Sequence, residues 1–272
     1  MPYTVGGHFM PTNERILGVR TLSGLPPWLL VAIGFVLFAS VSVGCRLALR
    51  RAASPERSTE VEGYAGKLLS VFGASFALLV GFSITISWSA VSAGQDAVDL
   101  QAGVAQQLSW SASAMKDQAG ADVINGNLRD FLNTVVSDDQ RHLAEGNVSE
   151  LPSDEIFDTL QSNVHRMAGQ ASADPVASGM VSAAASLTAS WSKVTSVAQR
   201  RLPAVLVALI LASGLCLAVV VGLSALTVER PFLMYLSALI SAMSVAVVLI
   251  ADFPFVGIGV DLAPLSVSAS SI

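Results

Sequence analysis

GKLLSVFGASFALLVGFSITISWSA (Gly66–Ala90) is the stretch that decides the fold of this chain. A helix needs about 20 apolar residues to cross the roughly 30 Å of hydrocarbon in a bilayer, and this stretch is long enough. A small residue recurs at every fourth position, in Gly73, Ala77, Gly81 and Thr85. The stretch therefore predicts a membrane-spanning helix with one face of small side chains.

Four runs of the sequence have almost no charged residues, namely Pro26–Cys45, Leu68–Ala93, Leu202–Val228 and Pro231–Ala251. The 272 residues are 53% hydrophobic and only 13% charged, whereas soluble domains have about 25% charged residues. Backbone groups in hydrocarbon must find their hydrogen bonds within the chain, so each run should be helical. We expect an all-α, multi-pass protein of the cell membrane with four spans, in contact with the lipid bilayer.

The chain divides into five predicted parts. They are a flexible N-terminal tail (1–25), a hairpin of spans one and two (26–93), a helical extramembrane domain (94–201), a hairpin of spans three and four (202–252) and a C-terminal turn and tail (253–272). The apolar positions after span two keep helical spacing, so the second helix should extend well beyond the bilayer.

Capping residues mark the helices of the extramembrane domain. Asp174 with Pro175 predicts a helix start, and Ser153 is a natural N-cap residue for a second one. Gly146 predicts a helix end. The last helix of this domain is expected to continue into span three, with Pro203 as a kink near the membrane surface.

Basic residues near the ends of the spans bear on topology. Arg46, Arg50 and Arg51 follow span one like a stop-transfer cluster, so we expect this span to be retained and not cleaved as a signal peptide. The count of basic residues favours an external extramembrane domain by only one or two residues, and the orientation stays open.

The sequence lacks the patterns that accompany most catalytic sites. It has no glycine-rich phosphate loop, and its only histidines are scattered, at His8, His142 and His165. Asp138, Asp139 and Glu145 could bind a cation, but clustered acids are more typical of the solvated face of a helix. We expect no enzyme activity, catalytic residue, metal or cofactor, and the net charge of −5 does not favour a nucleic-acid partner.

The two faces of the second span suggest different roles. Gly73, Ala77 and Gly81 are the candidates for close helix packing, since small residues let two helices approach in lipid. The opposite face holds the pore-lining candidates, which are Phe72, Phe76, Leu79, Ser83 and Ile86. Their bulky members could form a constriction that gates by dewetting. The alternative, with the small face lining a pore, stays open.

Three segments resemble the bestrophin-like family of bacterial membrane proteins, in the order in which the family has them. They are GKLLSVFGASFALLVGFSITISW, LRDFLNTVVSDDQRHLAEG and LIADFPFVGIGVDLAPL, and the resemblance covers most of Gly63–Leu265. The third contains the family closing motif, here Asp252, Pro254, Phe255 and Gly257. By itself this motif could be a helix-ending turn or a gating element beside the extramembrane domain.

Two positions depart from the family pattern. Asp138, Asp139 and Gln140 stand where the family usually has Glu-Trp-Pro, and Phe253 stands where it usually has Arg. The second change removes the partner that the family pattern would give to Asp252. True bestrophins are pentameric anion channels lined by their second span, and the resemblance implies that architecture for this chain.

We expect a homo-oligomeric ion channel, anion-permeable or weakly selective, with span two lining the pore. The alternative is a non-conducting scaffold or sensor whose extramembrane bundle binds a partner protein.

Overall fold

A computed structural model describes residues 26–52, 54–171, 174–226, 232–255 and 259–272. These residues form nine α-helices and one π-helical turn, and no strand occurs among them. The helices are α1 (Pro27–Ala52), α2 (Pro55–Ser113), α3 (Gln118–Thr134), α4 (Gln140–Glu145), α5 (Asp154–Gln170), α6 (Pro175–Ala198), α7 (Ala204–Ser224), α8 (Phe232–Ala251) and α9 (Ala263–Ser271). The π-helical turn, Val135–Asp139, joins α3 to α4. The predicted all-α class is confirmed, while the predicted tail at 1–25 lies outside the described residues.

Four of these helices are long and apolar enough to cross a membrane, as predicted. They contain the candidate spans Trp28–Ala52, Thr59–Ser113, Ala204–Ser224 and Phe232–Ala251. Helix α2 has 59 residues, which corresponds to about 90 Å at 1.5 Å per residue. Because the hydrocarbon core is only about 30 Å thick, much of α2 lies outside it.

Glycines and small side chains set the packing of the four spans. Helix α1 packs on α8, where a Cβ added to Gly34 would lie 3.2 Å from Ala242 Cβ. Helix α7 passes so close to α1 that Gly222 lies against the backbone of Ser42. The Ser42 hydroxyl donates a 2.8 Å hydrogen bond to the carbonyl oxygen of Ala218. Spans one and three are therefore joined by both backbone contact and a buried hydrogen bond.

The extramembrane bundle has a separate core, built around Phe131 of α3. Its ring centroid lies 4.9 Å from that of Phe157 and 5.5 Å from that of Trp191 in an edge-to-face contact. These aromatic residues come from α3, α5 and α6, and all three are buried. Fully buried Val98 and Leu108 on the outer half of α2 belong to the same core, so α2 contributes to both cores.

Two predicted capping signals are confirmed, while one capping signal and one predicted kink are corrected. Asp174 Oδ1 accepts a 3.0 Å hydrogen bond from the Val176 N–H at the start of α6, and Gly146 ends α4 in the left-handed region at φ 70°. Ser153 precedes α5, but its hydroxyl makes no capping hydrogen bond. Pro203 does not kink a continuous helix, because α6 ends at Ala198 and a new helix begins after the proline, which has no N–H to donate.

The C-terminal segment differs from the turn and tail that the sequence predicted. Helix α9 packs on α2 and α3, and Leu265 is fully buried in the core of the bundle. The Ser268 hydroxyl donates to the carbonyl oxygen of Ala102 at 3.4 Å. Six of the nine residues of α9 are Ala or Ser, which gives it little amphipathic pattern, so its helical character could not be seen in the sequence. The bundle therefore includes the end of the chain.

The contact between Gly222 and Ser42 predicts a steric effect of a single methyl group. We expect Gly222→Ala to lower the melting temperature of the detergent-purified protein by several degrees, because overpacking a close contact costs about 1–3 kcal/mol. Gly44→Ala is the matched control, since an added Cβ there meets nothing within 4 Å. Equal melting temperatures for the two variants would contradict the close packing of spans one and three.

Candidate functional site

One buried stripe runs the length of α2 and fixes which side of span two faces the rest of the chain. In the membrane half the stripe includes Phe76, Val80, Ser83 and Ser87, all buried. Helix α2 packs on α7 and α8 here, and the rings of Phe76 and of Phe38 on α1 lie within 3.2 Å of a Cβ added to Gly214 of α7. The stripe is therefore the inner face of a four-helix packing unit.

The structure places the five pore-lining candidates mostly on this inner side. Phe76 is 6% exposed and Ser83 is fully buried, while Phe72 and Leu79 are half-buried. The Ser83 hydroxyl donates to the carbonyl oxygen of Leu79 at 2.8 Å, so its proton is engaged within the helix. Only Ile86, at 36% exposure, reaches the outer surface. Within one chain, Phe76 and Ser83 are thus covered by the chain's own spans, and a pore-lining role for them stays a prediction.

The three helix-packing candidates are at least partly exposed in the single chain. Ala77 and Gly81 are exposed and Gly73 is half-buried. A Cβ added to either glycine would meet nothing within 4 Å among the described residues. The small face of span two therefore does not pack on the chain's own spans. The sequence shows where small residues lie, but it does not show whether their partner is the same chain or another copy.

The side of span two opposite the buried stripe carries a third set of residues, which overlaps the stripe of small residues at Thr85 and also includes large side chains. Leu78 lies about 200° around the helix from Phe76 and is 74% exposed. Ala74 and Thr85 lie on the same side and are exposed. Farther along α2, the same side carries Asp96 and Trp110, the latter 75% exposed. One exposed line thus extends from the membrane into the bundle.

The closing motif connects the end of span four to the bundle. Asp252 Oδ1 accepts a 2.5 Å hydrogen bond from the Leu202 N–H, just before span three begins. The carbonyl oxygen of Pro254 accepts a 2.7 Å hydrogen bond from Val260 N–H, and Phe255 is buried in the bundle core. Gly257 lies outside the described residues. The three described motif residues tie the membrane and extramembrane halves together.

Arg201 supplies a cation near Asp252, which the closing motif of this chain lacks because Phe253 stands where the family usually has Arg. Its guanidinium stacks on the Phe253 ring at 4.4 Å from the centroid and donates to the carbonyl oxygens of Ala198 and Arg200 at 3.1 and 3.0 Å. Burial raises the pKa of Asp252, while the Leu202 N–H and nearby Arg201 oppose that rise. The cation near Asp252 therefore comes from the segment that follows α6 and not from the closing motif.

A second buried acid lies in the bundle at the π-helical turn. Asp139 is fully buried, and its Oδ1 accepts a 3.3 Å hydrogen bond from the Ser153 N–H. Burial raises the pKa of Asp139, and hydrogen bonding to Ser153 and the proximity of His142 oppose this, whereas Asp154 adds to it. Its neighbour Asp138 is exposed. Among the described residues, no group of three His, Cys, Asp or Glu side chains is placed to hold a metal ion.

The chain matches a family model and the fold of solved structures. The model of the bestrophin-like domain matches residues 36–260. A bacterial bestrophin homologue from Klebsiella pneumoniae has a similar fold, with a TM-score of 0.66 at 11% identity, over 88% of this chain and 95% of that chain. A mutant of a bacterial bestrophin homologue from Klebsiella pneumoniae gives a TM-score of 0.66 at 10% identity, over 87% of this chain and 96% of that one. No curated protein matches the chain.

Because the family model covers most of its length, the chain belongs to the bestrophin-like family. The resemblance that the three sequence segments indicated is confirmed. With its four apolar helices, it is a multi-pass protein of the cell membrane.

The buried carboxyl of Asp139 predicts a pH-dependent contribution to stability. A raised pKa means that the folded state favours the protonated form, so stability falls as pH rises from the ordinary value of 3.8 through the raised pKa. Asp139→Asn has no charge to desolvate. We expect it to raise the melting temperature at neutral pH, by about 2–4 °C, and to lose this advantage as the pH falls towards 3.8.

The control is Asp138→Asn, which removes an exposed carboxylate one residue away and should change the melting temperature little at either pH. A lower melting temperature for Asp139→Asn at neutral pH would show that the contacts of the charged carboxylate outweigh the cost of burying it.

Proposed function

We propose that the chain assembles into a homo-oligomeric ring that conducts ions along span two. Membership of the bestrophin-like family supports an ion channel in general. The observation that carries the proposal is the exposed line on α2, opposite the stripe that packs on the other spans. When the remaining spans of each copy lie outside α2, that line faces the axis of the ring. We propose a channel and not an enzyme.

The small face supports ring closure. Gly73, Ala77 and Gly81 flank the exposed line and have no close partner within the described chain. Small residues allow close approach of two helices in lipid, where no hydrophobic force drives association. A neighbouring copy of the chain is the natural partner, and repetition of one heterologous contact closes into a ring.

The narrow part of the proposed pore lies at Leu78. It is the most exposed large apolar side chain of span two, at 74%, and it lies between the small side chains of Ala74 and Gly81. A ring of leucines surrounded by small residues would make a hydrophobic constriction that gates by dewetting. Thr85 follows on the same side, but its hydroxyl donates to the carbonyl oxygen of Gly81 at 2.9 Å.

Charges farther along the same helix bear on selectivity. Asp96 lies on the exposed line of α2, with Asp99 nearby, and both are exposed. In a ring, each would be repeated around the axis, and rings of carboxylates favour cations. Of the two options, anion-permeable or weakly selective, the acids favour weak selectivity.

The first test compares chloride and potassium flux through liposomes that hold the wild type or Leu78→Ala. We expect ion flux in the wild type and a several-fold increase in the variant, because the constriction loses its bulk. Leu68→Ala is the matched control: Leu68 is 47% exposed on the flank of the same helix, and its truncation should leave the flux unchanged.

Two results would contradict the proposal. A larger effect from Leu68→Ala than from Leu78→Ala would place a different side of α2 at the axis. If none of the three proteins gives ion flux while light scattering shows an intact oligomer, the channel proposal is excluded. The alternative, a non-conducting scaffold or sensor whose bundle binds a partner protein, then remains.

The second test concerns the acids on α2. We expect Asp96→Asn to shift the reversal potential under a potassium chloride gradient towards that of chloride, because it removes repeated negative charge from the axis. Asp158→Asn removes an exposed carboxylate from α5 and should leave the reversal potential unchanged. Equal shifts in both variants would indicate a general surface-charge effect and contradict the placement of Asp96.

A further inference from the structure

A cavity of about 460 Å³ lies where the spans meet the bundle. Its lining includes Ser87 and Ala90 of α2, Arg200 and Arg201 after α6, and Asp252 after α8. Its volume is in the range of about 300–1,000 Å³ that is common for small-molecule sites. Span four ends and span three begins at this level, so the cavity lies at the depth of the lipid headgroups.

The charges of the cavity favour an anion. Two guanidinium groups, of Arg200 and Arg201, line it beside one carboxyl group. The Oδ1 atom of that carboxyl, in Asp252, is already engaged by the Leu202 N–H. The stacking of Arg201 on Phe253 holds one guanidinium in place, and Arg200 is exposed beside it. Planar guanidinium groups bind phosphate through paired hydrogen bonds.

A buried hydroxyl provides an independent indication of a ligand. Ser87 is only 3% exposed, and its Oγ has no hydrogen-bond partner among the described residues. Ser83, the other buried serine of span two, donates to a carbonyl oxygen of its own helix. A buried hydroxyl without a partner is costly, and Ser87 lines the cavity. A ligand with acceptor oxygens would satisfy it.

The remaining lining is mixed and determines what kind of anion fits. It consists of Thr85, Ile86, Ser89, Ala90, Leu202 and Ala251. Four of these side chains, Ile86, Ala90, Leu202 and Ala251, are apolar and form most of this part of the wall. A free halide would fill only a small part of the volume and would gain nothing from that wall. We propose that the cavity binds the phosphate-bearing headgroup of a membrane phospholipid, with the phosphate on Arg200, Arg201 and Ser87 and the glycerol end on the apolar wall.

The proposal does not depend on ion conduction, because lipid binding can be measured directly. Native mass spectrometry on the delipidated full-length oligomer in detergent gives the affinity for the first lipid bound, with phosphatidylglycerol, phosphatidylethanolamine and inorganic phosphate as separate probes. We expect Arg200→Gln to weaken binding of both phospholipids about tenfold, which is the effect of losing one charge-assisted hydrogen bond. Ser87→Ala should weaken it less. Arg57→Gln removes an exposed arginine near the other end of span two and should have no effect.

The outcomes distinguish a phospholipid from free phosphate, and a specific site from general electrostatic attraction. Binding of inorganic phosphate as tightly as phospholipid would overturn the lipid assignment. Equal phospholipid affinity in the wild type, Arg200→Gln and Ser87→Ala would overturn the site itself. Equal weakening by Arg57→Gln and Arg200→Gln would show general electrostatic attraction to the protein and would also overturn it.

Discussion

The structure depends on a single constraint, which is that α2 must bury one stripe over its whole length in two different solvents. In hydrocarbon its backbone hydrogen bonds stay within the helix, and in water the hydrophobic effect buries Val98 and Leu108 against the bundle. The same helix supplies Phe76 to the core of the spans. Because one rigid element serves both cores, the orientation of the stripe in the bundle fixes which side of span two is free.

Polar contacts stabilise the junction between the two halves. Asp252 accepts from the Leu202 N–H, and Arg201 stacks on Phe253. Gly146 is part of this arrangement, since the guanidinium of Arg201 lies where a Cβ would project. The departure from the family pattern at Phe253 is thus accommodated by an arginine from another segment, which forms a cation–π contact.

Much of the fold could be predicted because length and apolar composition determine where helices cross a membrane. The extended α2, the Asp174 cap and the Gly146 helix end all followed from local rules. The roles of the faces of span two could not be assigned from the sequence. A stripe of small residues has the same spacing whether it packs on a helix of its own chain or on a helix of a neighbouring copy. Helix α9 was missed because Ala and Ser carry little periodic signal, and Arg201 was missed because its partners are distant in sequence.

The absence of any break in α2 has a mechanical consequence. A helix of 59 residues without proline or a π-helical turn after its first residue is a stiff rod, about 90 Å long. Tilting such a rod by about five degrees displaces its far end by roughly 8 Å. A tilt imposed near Trp110 at the outer end would therefore be carried along the helix towards Leu78, because the helix has no proline or π-helical turn between them.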